Sequence, residues 1–135
     1  MIKRSFIATA IAAAATALAV LGTGGAAQAD DSVIYVYEVG GNDHAGEMQH
    51  VDDGDEFRIY DLAADGHGVR GTLLNADFVS LKSSYNGNGS DAPWANYTHF
   101  AYNILSGKTY YMRICIVDGA SDTTPLKCAT QRVTE

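Results

Sequence analysis

After residue 30, the chain alternates between short runs rich in Val, Ile, Tyr, Phe and Thr and separators rich in Gly, Asn and Asp. The first group of residues favours strands and the second favours tight turns. Regular spacing of short strands is typical of antiparallel sandwiches and not of βαβ units. The expected fold is therefore all-β, a small antiparallel β-sandwich with strands at Ser32–Val39, Glu47–Val51, Glu56–Leu62, Val69–Leu74, Phe78–Ser83, Tyr97–Ile104, Thr109–Val117 and Lys127–Val133.

The first 29 residues have the organisation of a secretory signal peptide. A basic start at residues 3–4 precedes an apolar run at 7–21, and the Ala-Gln-Ala at 27–29 has the small-x-small pattern of a cleavage site. The apolar run is short for a membrane span, and no stop-transfer segment follows it. We therefore predict a secreted, extracellular protein in which residues 30–43 form an N-terminal strand and a flexible joint, and residues 44–135 form the sandwich domain.

The charge balance of the chain excludes two classes of partner. Sixteen Asp and Glu residues outnumber nine Lys and Arg residues, for a formal net charge of −7, and the basic residues form no cluster. Phosphate backbones and anionic lipid surfaces attract basic patches. We therefore expect neither nucleic acid nor a membrane as a partner.

Cys115 and Cys128 are the two cysteines of the chain, and the segment between them contains turn residues. In an exported protein, such a pair predicts a disulfide. Alternation in Thr109–Val117 places Tyr110, Met112, Ile114 and Ile116 on one apolar face and Cys115 on the other, so the predicted bond ties a hairpin outside the main core. A redox-active pair would be expected to have C-x-x-C spacing, and a zinc site would need further thiols or paired histidines.

A local resemblance supports the sandwich. The segment Leu105-Ser106-Gly107-Lys108-Thr109-Tyr110-Tyr111-Met112-Arg113-Ile114 is similar to the turn and sixth strand of fibronectin type III and immunoglobulin-like domains. In those families a tyrosine at the start of this strand forms a corner in which its hydroxyl bonds to backbone upstream. The resemblance assigns that structural role to Tyr110.

A second resemblance involves two acidic, glycine-containing segments, Asp53-Gly54-Asp55-Glu56-Phe57-Arg58-Ile59-Tyr60-Asp61 and Ala64-Asp65-Gly66-His67-Gly68-Val69. Through them, the chain after residue 29 resembles small secreted proteins of actinobacteria, most of which have no assigned activity. Some of these resemble adaptor subunits of large secreted, umbrella-type toxin particles, in which an extended N-terminal segment docks into a bigger protein. The resemblance implies a protein-binding role.

No residue pattern predicts catalysis, and we expect a non-enzymatic protein with no metal and no cofactor. Calcium could be held by the acidic stretch 52–56, but the EF-hand order is absent and two polar turns explain these residues. The sequence Gly89-Ser90 does not complete Gly-x-Ser-x-Gly. The histidines share no short spacing, which favours solvated loop positions for His44, His50, His67 and His99.

The loop from Tyr85 to Tyr97 also contains Trp94. Exposed aromatic rings there would suit sugar stacking or protein contact, which makes Trp94 and Tyr97 a candidate ligand-binding loop. The alternative is that these rings close one end of the sandwich as part of its core.

The first predicted strand is apolar on both faces, with Glu38 as its one charge. Such a strand requires apolar contacts on both faces, and when it is exposed at a sheet edge it can pair with a strand of another chain. It is either a central strand of the domain's own sandwich or a strand donated to another protein. In the second interpretation the partner-binding residues are Val33, Ile34, Tyr35, Val36, Tyr37 and Val39.

Three functions therefore remain open. The first is an adaptor that docks onto a larger secreted protein by strand addition, which the N-terminal strand and the lack of catalytic motifs favour. The second is a carbohydrate-binding module of the extracellular space, which the aromatic loop and the acidic composition favour. The third is a secreted enzyme inhibitor, for which no reactive site can be located.

Overall fold

The computed structural model describes residues 31–89 and 92–135, so the predicted signal peptide lies outside the described residues. These residues form eight strands: β1 (Ser32–Tyr37), β2 (His44–Val51), β3 (Glu56–Asp61), β4 (Gly68–Asn75), β5 (Ser80–Asn86), β6 (Thr98–Ala101), β7 (Tyr110–Val117) and β8 (Lys127–Val133). None of the described residues belongs to a helix. A helix long and apolar enough to span a membrane is therefore not found in this part of the chain.

The strands form two four-stranded sheets, with the orders β1-β2-β3-β6 and β5-β4-β7-β8. Every paired strand is antiparallel to its neighbour. The sheets stack face to face, with β1 over β7 and β8, β2 over β7, and β3 over β4 and β5. The predicted all-β antiparallel sandwich is confirmed.

The core lies between the two sheets and follows the alternation of the strands. From the first sheet, Met48, Phe57 and Ile59 point inward and are fully buried. From the second sheet, Leu73 and the apolar face of β7, which includes Met112 and Ile114, meet them. Burial of this apolar surface stabilises the stack, because each large side chain removed from water contributes about 1.5–3 kcal/mol.

β1 is an edge strand of the domain's own first sheet. It pairs with β2 in a register that sets Ile34 opposite Met48 and Val36 opposite Gly46. Ile34 and Val36 are buried in the core, and the outward-facing residues of β1 are partly exposed. In the structure, the first strand is therefore neither central nor detached, and the sandwich begins at Ser32 rather than at residue 44.

The segment between β1 and β2 connects the two strands as a turn. The Glu38 amide donates a hydrogen bond to the Asp43 carbonyl (2.9 Å), and the Gly41 amide donates to the Glu38 carbonyl (3.2 Å). These bonds close a hairpin where a flexible joint was expected. The reason is that β1 and β2 are hydrogen-bonded neighbours, so their connection has a short distance to span.

Cys115 and Cys128 lie directly opposite each other in the β7–β8 pair and form the predicted disulfide. The bond links the edge strand β8 to its neighbour β7 in the second sheet. Tyr110, at the start of β7, is buried, and its hydroxyl accepts a hydrogen bond from the backbone amide of Leu105 at 3.3 Å. This contact has the corner geometry that the resemblance to fibronectin type III domains implies.

Candidate functional site

The free side of β1, named here the β1 edge, differs from the other sheet edges. β1 has no neighbour on this side in the part of the chain that the structure describes, and its sequence carries no charge. The edge strands of the second sheet carry charges, with Lys82 in β5 and Lys127 and Arg132 in β8, while β6 is four residues long. Charged side chains and short length are common means of protecting a sheet edge from unwanted pairing. β1 lacks both.

Exposed apolar residues extend the β1 edge toward the turn that follows it. Tyr37 is 43% exposed and Val39 is 63% exposed. The Tyr37 ring contacts His44 edge-on, and Tyr35 stacks on the same His44 ring with centroids 4.2 Å apart. The rings at this end of β1 are thus held in place by a neighbouring strand.

The solvent-facing side of the first sheet, named here the outer face, carries rows of side chains that cross all or most of its strands. One row runs Val33–Gln49–Arg58–His99, and the next runs Tyr35–Glu47–Tyr60. Because side chains alternate along a strand, the core residues Phe57 and Ile59 leave Arg58 and Tyr60 pointing outward. The outer face therefore combines aromatic and polar groups.

An aromatic cluster, named here the platform, lies on the β3–β6 half of the outer face and consists of Tyr60, Trp94 and Tyr97. The ring of Tyr60 lies 5.1 Å from Trp94 and 5.3 Å from Tyr97, centroid to centroid. Trp94 is 63% exposed, whereas Tyr60 is buried beneath its neighbours. The two loop residues predicted from the sequence are thus brought together by a strand residue that the sequence reasoning did not include.

Asparagine side chains hold the loop that carries Trp94 and Tyr97. Asn86 is 1% exposed, and its amide donates to the carbonyls of Ile59 (2.9 Å) and Asn96 (3.0 Å). The amide of Asn88 donates to the same Asn96 carbonyl at 2.9 Å. The Asn86 bonds, which are buried or partly buried, fix the loop relative to the sheet beneath it. The loop is therefore anchored to β3, next to Tyr60.

Charged groups border the platform. Arg58 donates two hydrogen bonds to Glu56, Nε to Oε1 at 3.0 Å and Nη2 to Oε2 at 3.2 Å. This pairing lowers the pKa of Glu56 and raises that of Arg58. The Arg58 guanidinium carbon also lies 5.2 Å from the centre of the Tyr97 ring, within the range of a cation–π contact. The Tyr60 hydroxyl donates to Oε1 of Gln49 at 3.3 Å.

Glu47 is a buried acid in the middle of the outer face. It lies opposite Tyr35 on one side and Tyr60 on the other, and only 5% of the residue is exposed. Its Oε2 atom has no hydrogen-bond partner among residues 31–89 and 92–135. Burial raises the pKa of Glu47, and a hydrogen bond from Tyr35 and the nearby His44 partly offset that rise. No sequence pattern pointed to this residue.

A second group of polar side chains, His50, Asp52 and Asp55, has ligand atoms within 4.8 Å of one another and could hold a cation. Asp55 already has structural partners, because its Oδ1 lies 3.2 Å from Nε2 of His50 and its Oδ2 accepts the Ile104 amide at 3.1 Å. We interpret the group as a joint between the β2–β3 turn and the loop after β6.

The histidines differ in exposure. His50 is fully buried, so the predicted solvated position is wrong for this residue; it faces inward on β2, stacked on Phe57. His44 and His99 are exposed as predicted, but they lie on β2 and β6 and not in loops. His67 is partly buried in the connection between β3 and β4. Ser90, considered above as a nucleophile, lies outside the described residues.

Comparisons with known proteins give a fold and no family. No family model matches the chain, and no curated protein matches it. Among solved structures, it is similar to the crystal structure of an endonuclease/exonuclease/phosphatase from Beutenbergia cavernae, with a TM-score of 0.53 and 21% identity. The match covers 77% of this chain and 27% of that one, so the chain spans about a quarter of the solved protein. At this level of identity the likeness shows a shared fold alone.

Proposed function

We propose that the protein is a secreted, non-enzymatic adaptor that binds a larger protein at the β1 edge. An extended segment of the partner pairs with β1 and continues the first sheet as a fifth strand. The observation that carries this proposal is the contrast between edges: β1 is a six-residue edge strand without a charge, whereas β5 and β8 carry Lys or Arg.

Strand addition uses the chemistry that an edge offers. The free backbone amides and carbonyls of β1 supply affinity, and the alternating side chains of the added strand supply specificity. Tyr37 and Val39, both exposed, provide apolar contact beyond the backbone bonds. The acidic composition of the chain, with a net charge of −7, favours a partner segment that is neutral or basic.

In this proposal β1 accepts a strand and is not itself donated. Ile34 and Val36 belong to the core, so moving β1 into another protein would expose the inner face of the sandwich to water. Accepting a strand leaves the core intact. The partner-binding role predicted for the first strand is therefore proposed for its outer residues, Val33, Tyr35, Tyr37 and Val39.

Two further features support an extracellular adaptor. The Cys115–Cys128 disulfide is of the kind that persists in oxidising compartments, in agreement with the signal peptide predicted at the N-terminus. The resemblance to adaptor subunits of toxin particles makes a large secreted toxin a candidate partner.

The test introduces one charge at the β1 edge. We expect tagged wild-type protein, incubated with culture supernatant of the source organism, to recover one larger protein in stoichiometric amount. Val33→Lys should abolish this recovery, because Val33 lies on β1 with its side chain on the outer face. Ser83→Lys, on the edge strand β5, is the matched control and should recover the partner normally.

A photo-crosslinker at Tyr37 identifies the contact. The cross-linked peptide should come from an extended segment of the recovered protein. Absence of a stoichiometric partner, or equal recovery by Val33→Lys and wild type, would contradict the proposal. A dimer in sedimentation analysis that Val33→Lys disrupts would identify a second copy of this chain as the occupant of the edge, which also contradicts it.

A further inference from the structure

We infer that the platform of Tyr60, Trp94 and Tyr97, together with Arg58 beside it, binds a neutral saccharide chain. This inference goes beyond the adaptor role and does not depend on it. The platform lies on β3 and the loop before β6, while the β1 edge lies at the opposite margin of the same sheet.

The aromatic rings are positioned before any ligand arrives. Tyr60 contacts Trp94 and Tyr97 with centroids 5.1 and 5.3 Å away, and the buried Asn86 anchors the loop that carries both. A preorganised surface loses little conformational freedom on binding, so more of the interaction energy remains as affinity. A tryptophan left 63% exposed in a loop that is anchored in this way is a candidate contact for a ligand.

The polar groups around the rings suit a ligand covered with hydroxyls. Arg58 is 30% exposed and its partner Glu56 is 27% exposed, so donors and acceptors stand next to the Tyr97 ring. Gln49 is fixed from the other side by the Tyr60 hydroxyl. Sites for small polar ligands combine an apolar surface with a few placed polar groups, and a sugar ring offers a C–H face to the first and hydroxyls to the second.

The charges on the outer face favour a neutral saccharide over an anionic one. Glu47 lies directly opposite Tyr60 on β2, and Glu56 is on β3, where it is already paired with Arg58. With a net charge of −7 on the whole chain, an anionic polymer would be repelled.

The same groups disfavour a protein partner on the platform. A dry protein interface would remove the Arg58–Glu56 pair from water, at a desolvation cost that the pair's attraction does not reliably repay. A hydroxyl-rich chain leaves water around the charges and can bridge to them through it. The platform and the β1 edge are separated by β2, about 10 Å across two strand spacings, so both could be occupied together. A protein with both sites would attach its partner to a polysaccharide.

The test is co-sedimentation of the full chain with insoluble cellulose, chitin and mannan, with binding to heparin measured in parallel. We expect wild type to bind at least one neutral polymer and not heparin. Trp94→Ala and Tyr97→Ala should each weaken that binding by about tenfold or more, as expected for central aromatic contacts. Phe78→Ala is the matched control, because Phe78 is 52% exposed in the β4–β5 connection, where it stacks on Tyr111 of the second sheet, and its loss should leave binding unchanged.

Several results would overturn the inference. One is that the wild type sediments with none of the three neutral polymers. Another is that it binds heparin alone. A third is that Phe78→Ala weakens polysaccharide binding as much as Trp94→Ala does. Val33→Lys should retain polysaccharide binding, and Trp94→Ala should retain the protein partner, so this inference and the adaptor proposal can fail separately. If Trp94→Ala instead lost the protein partner and kept the polysaccharide, the platform would be a protein contact.

Discussion

Gly71 on β4 lies directly against Ile59 on β3, at a point where the two sheets approach each other closely. A β-carbon at Gly71 would be 2.4 Å from Cγ1 of Ile59 and 3.0 Å from the sulfur of Met48. Glycine is thus required here by the distance between two layers rather than by a turn.

Replacing Gly71 by Ala should destabilise the fold by about 1–3 kcal/mol, because the added methyl group overpacks a filled core. Chemical denaturation monitored by fluorescence measures the change. In an Ile59→Ala background the same substitution should cost less, since the blocking side chain is gone. A full-sized effect of Gly71→Ala in that background would mean that another neighbour limits the space.

Breaking the Cys115–Cys128 bond should lower the free energy of unfolding by about 3 kcal/mol, as expected for a loop with a sequence separation of 13. Denaturation with and without reductant measures this difference. The variant with both cysteines changed to Ala should match the reduced protein and show no response to reductant. Two free thiols in unfolded, unreduced wild type would contradict the prediction.

The Tyr110 hydroxyl can be tested by Tyr110→Phe, which keeps the ring and removes the acceptor of the Leu105 amide. We expect a loss of about 1 kcal/mol, the usual net value of such a bond. Tyr111→Phe is the control, because Tyr111 lies on the opposite face of β7, against Phe78. Urea melts that show equal effects, or the reverse order, would rule out the corner as a stabilising contact.

Glu47 should make stability depend on pH in a defined direction. Because burial raises its pKa in the folded state above the ordinary value of 4.5, the folded state holds this proton more tightly than the unfolded state does. The contribution of Glu47 to the free energy of unfolding is therefore most favourable below pH 4.5, where the carboxyl is protonated in both states. This contribution is lost as the pH rises through the folded-state pKa.

The measurement is the difference in unfolding free energy between wild type and Glu47→Gln from pH 4 to pH 7, a window of about three units that starts near the ordinary carboxyl value. Glu47→Gln should gain stability relative to wild type as the pH rises. Glu135→Gln, which removes one exposed charge at the C-terminus, should follow wild type. If the difference in unfolding free energy between Glu47→Gln and wild type did not change with pH, the buried carboxylate would be stabilised by its neighbours in the folded protein, contrary to this prediction.

Deleting residues 30–39 should unfold or aggregate the protein, since the deletion removes Ile34 and Val36 from the core and exposes a new edge at β2. Circular dichroism and size-exclusion chromatography test this directly. A folded, monomeric truncation would mean that β1 is dispensable, and it would restore strand donation as the mode of docking.

The sequence was sufficient to predict the all-β sandwich and the disulfide, because both depend on local signals. Turn residues separate the strands, and the alternation in β7 places Tyr110 and Cys115 on opposite faces. The position of β1 at an edge could not be predicted, because strand order depends on contacts between distant segments. An apolar strand has the same composition whether it is central, at an edge or donated.

The candidate site was predictable only in part. Trp94 and Tyr97 are close in sequence, and their loop was recognised. Tyr60 and Glu47 lie on the same surface because the register of β2 and β3 places them opposite each other. A single sequence does not specify that register when the pairing partners of each strand are unknown. The burial of His50 was missed for a related reason, because a histidine beside acidic turn residues has the same local pattern on either face of a strand.

The disulfide between β7 and β8 also leads us to expect that the sandwich opens first on its other side. β8 is covalently held, whereas β1, which stacks over it across the core, is held by hydrogen bonds and packing alone, with one bond from Lys127 to the Glu38 carbonyl linking the two sides. Amide hydrogen exchange should therefore be faster in β1 than in the β7–β8 pair. If β1 opens in this way, β2 remains as its pairing partner and the clamped second sheet remains as its packing surface, so the edge proposed to accept a partner would loosen without loss of the rest of the sandwich.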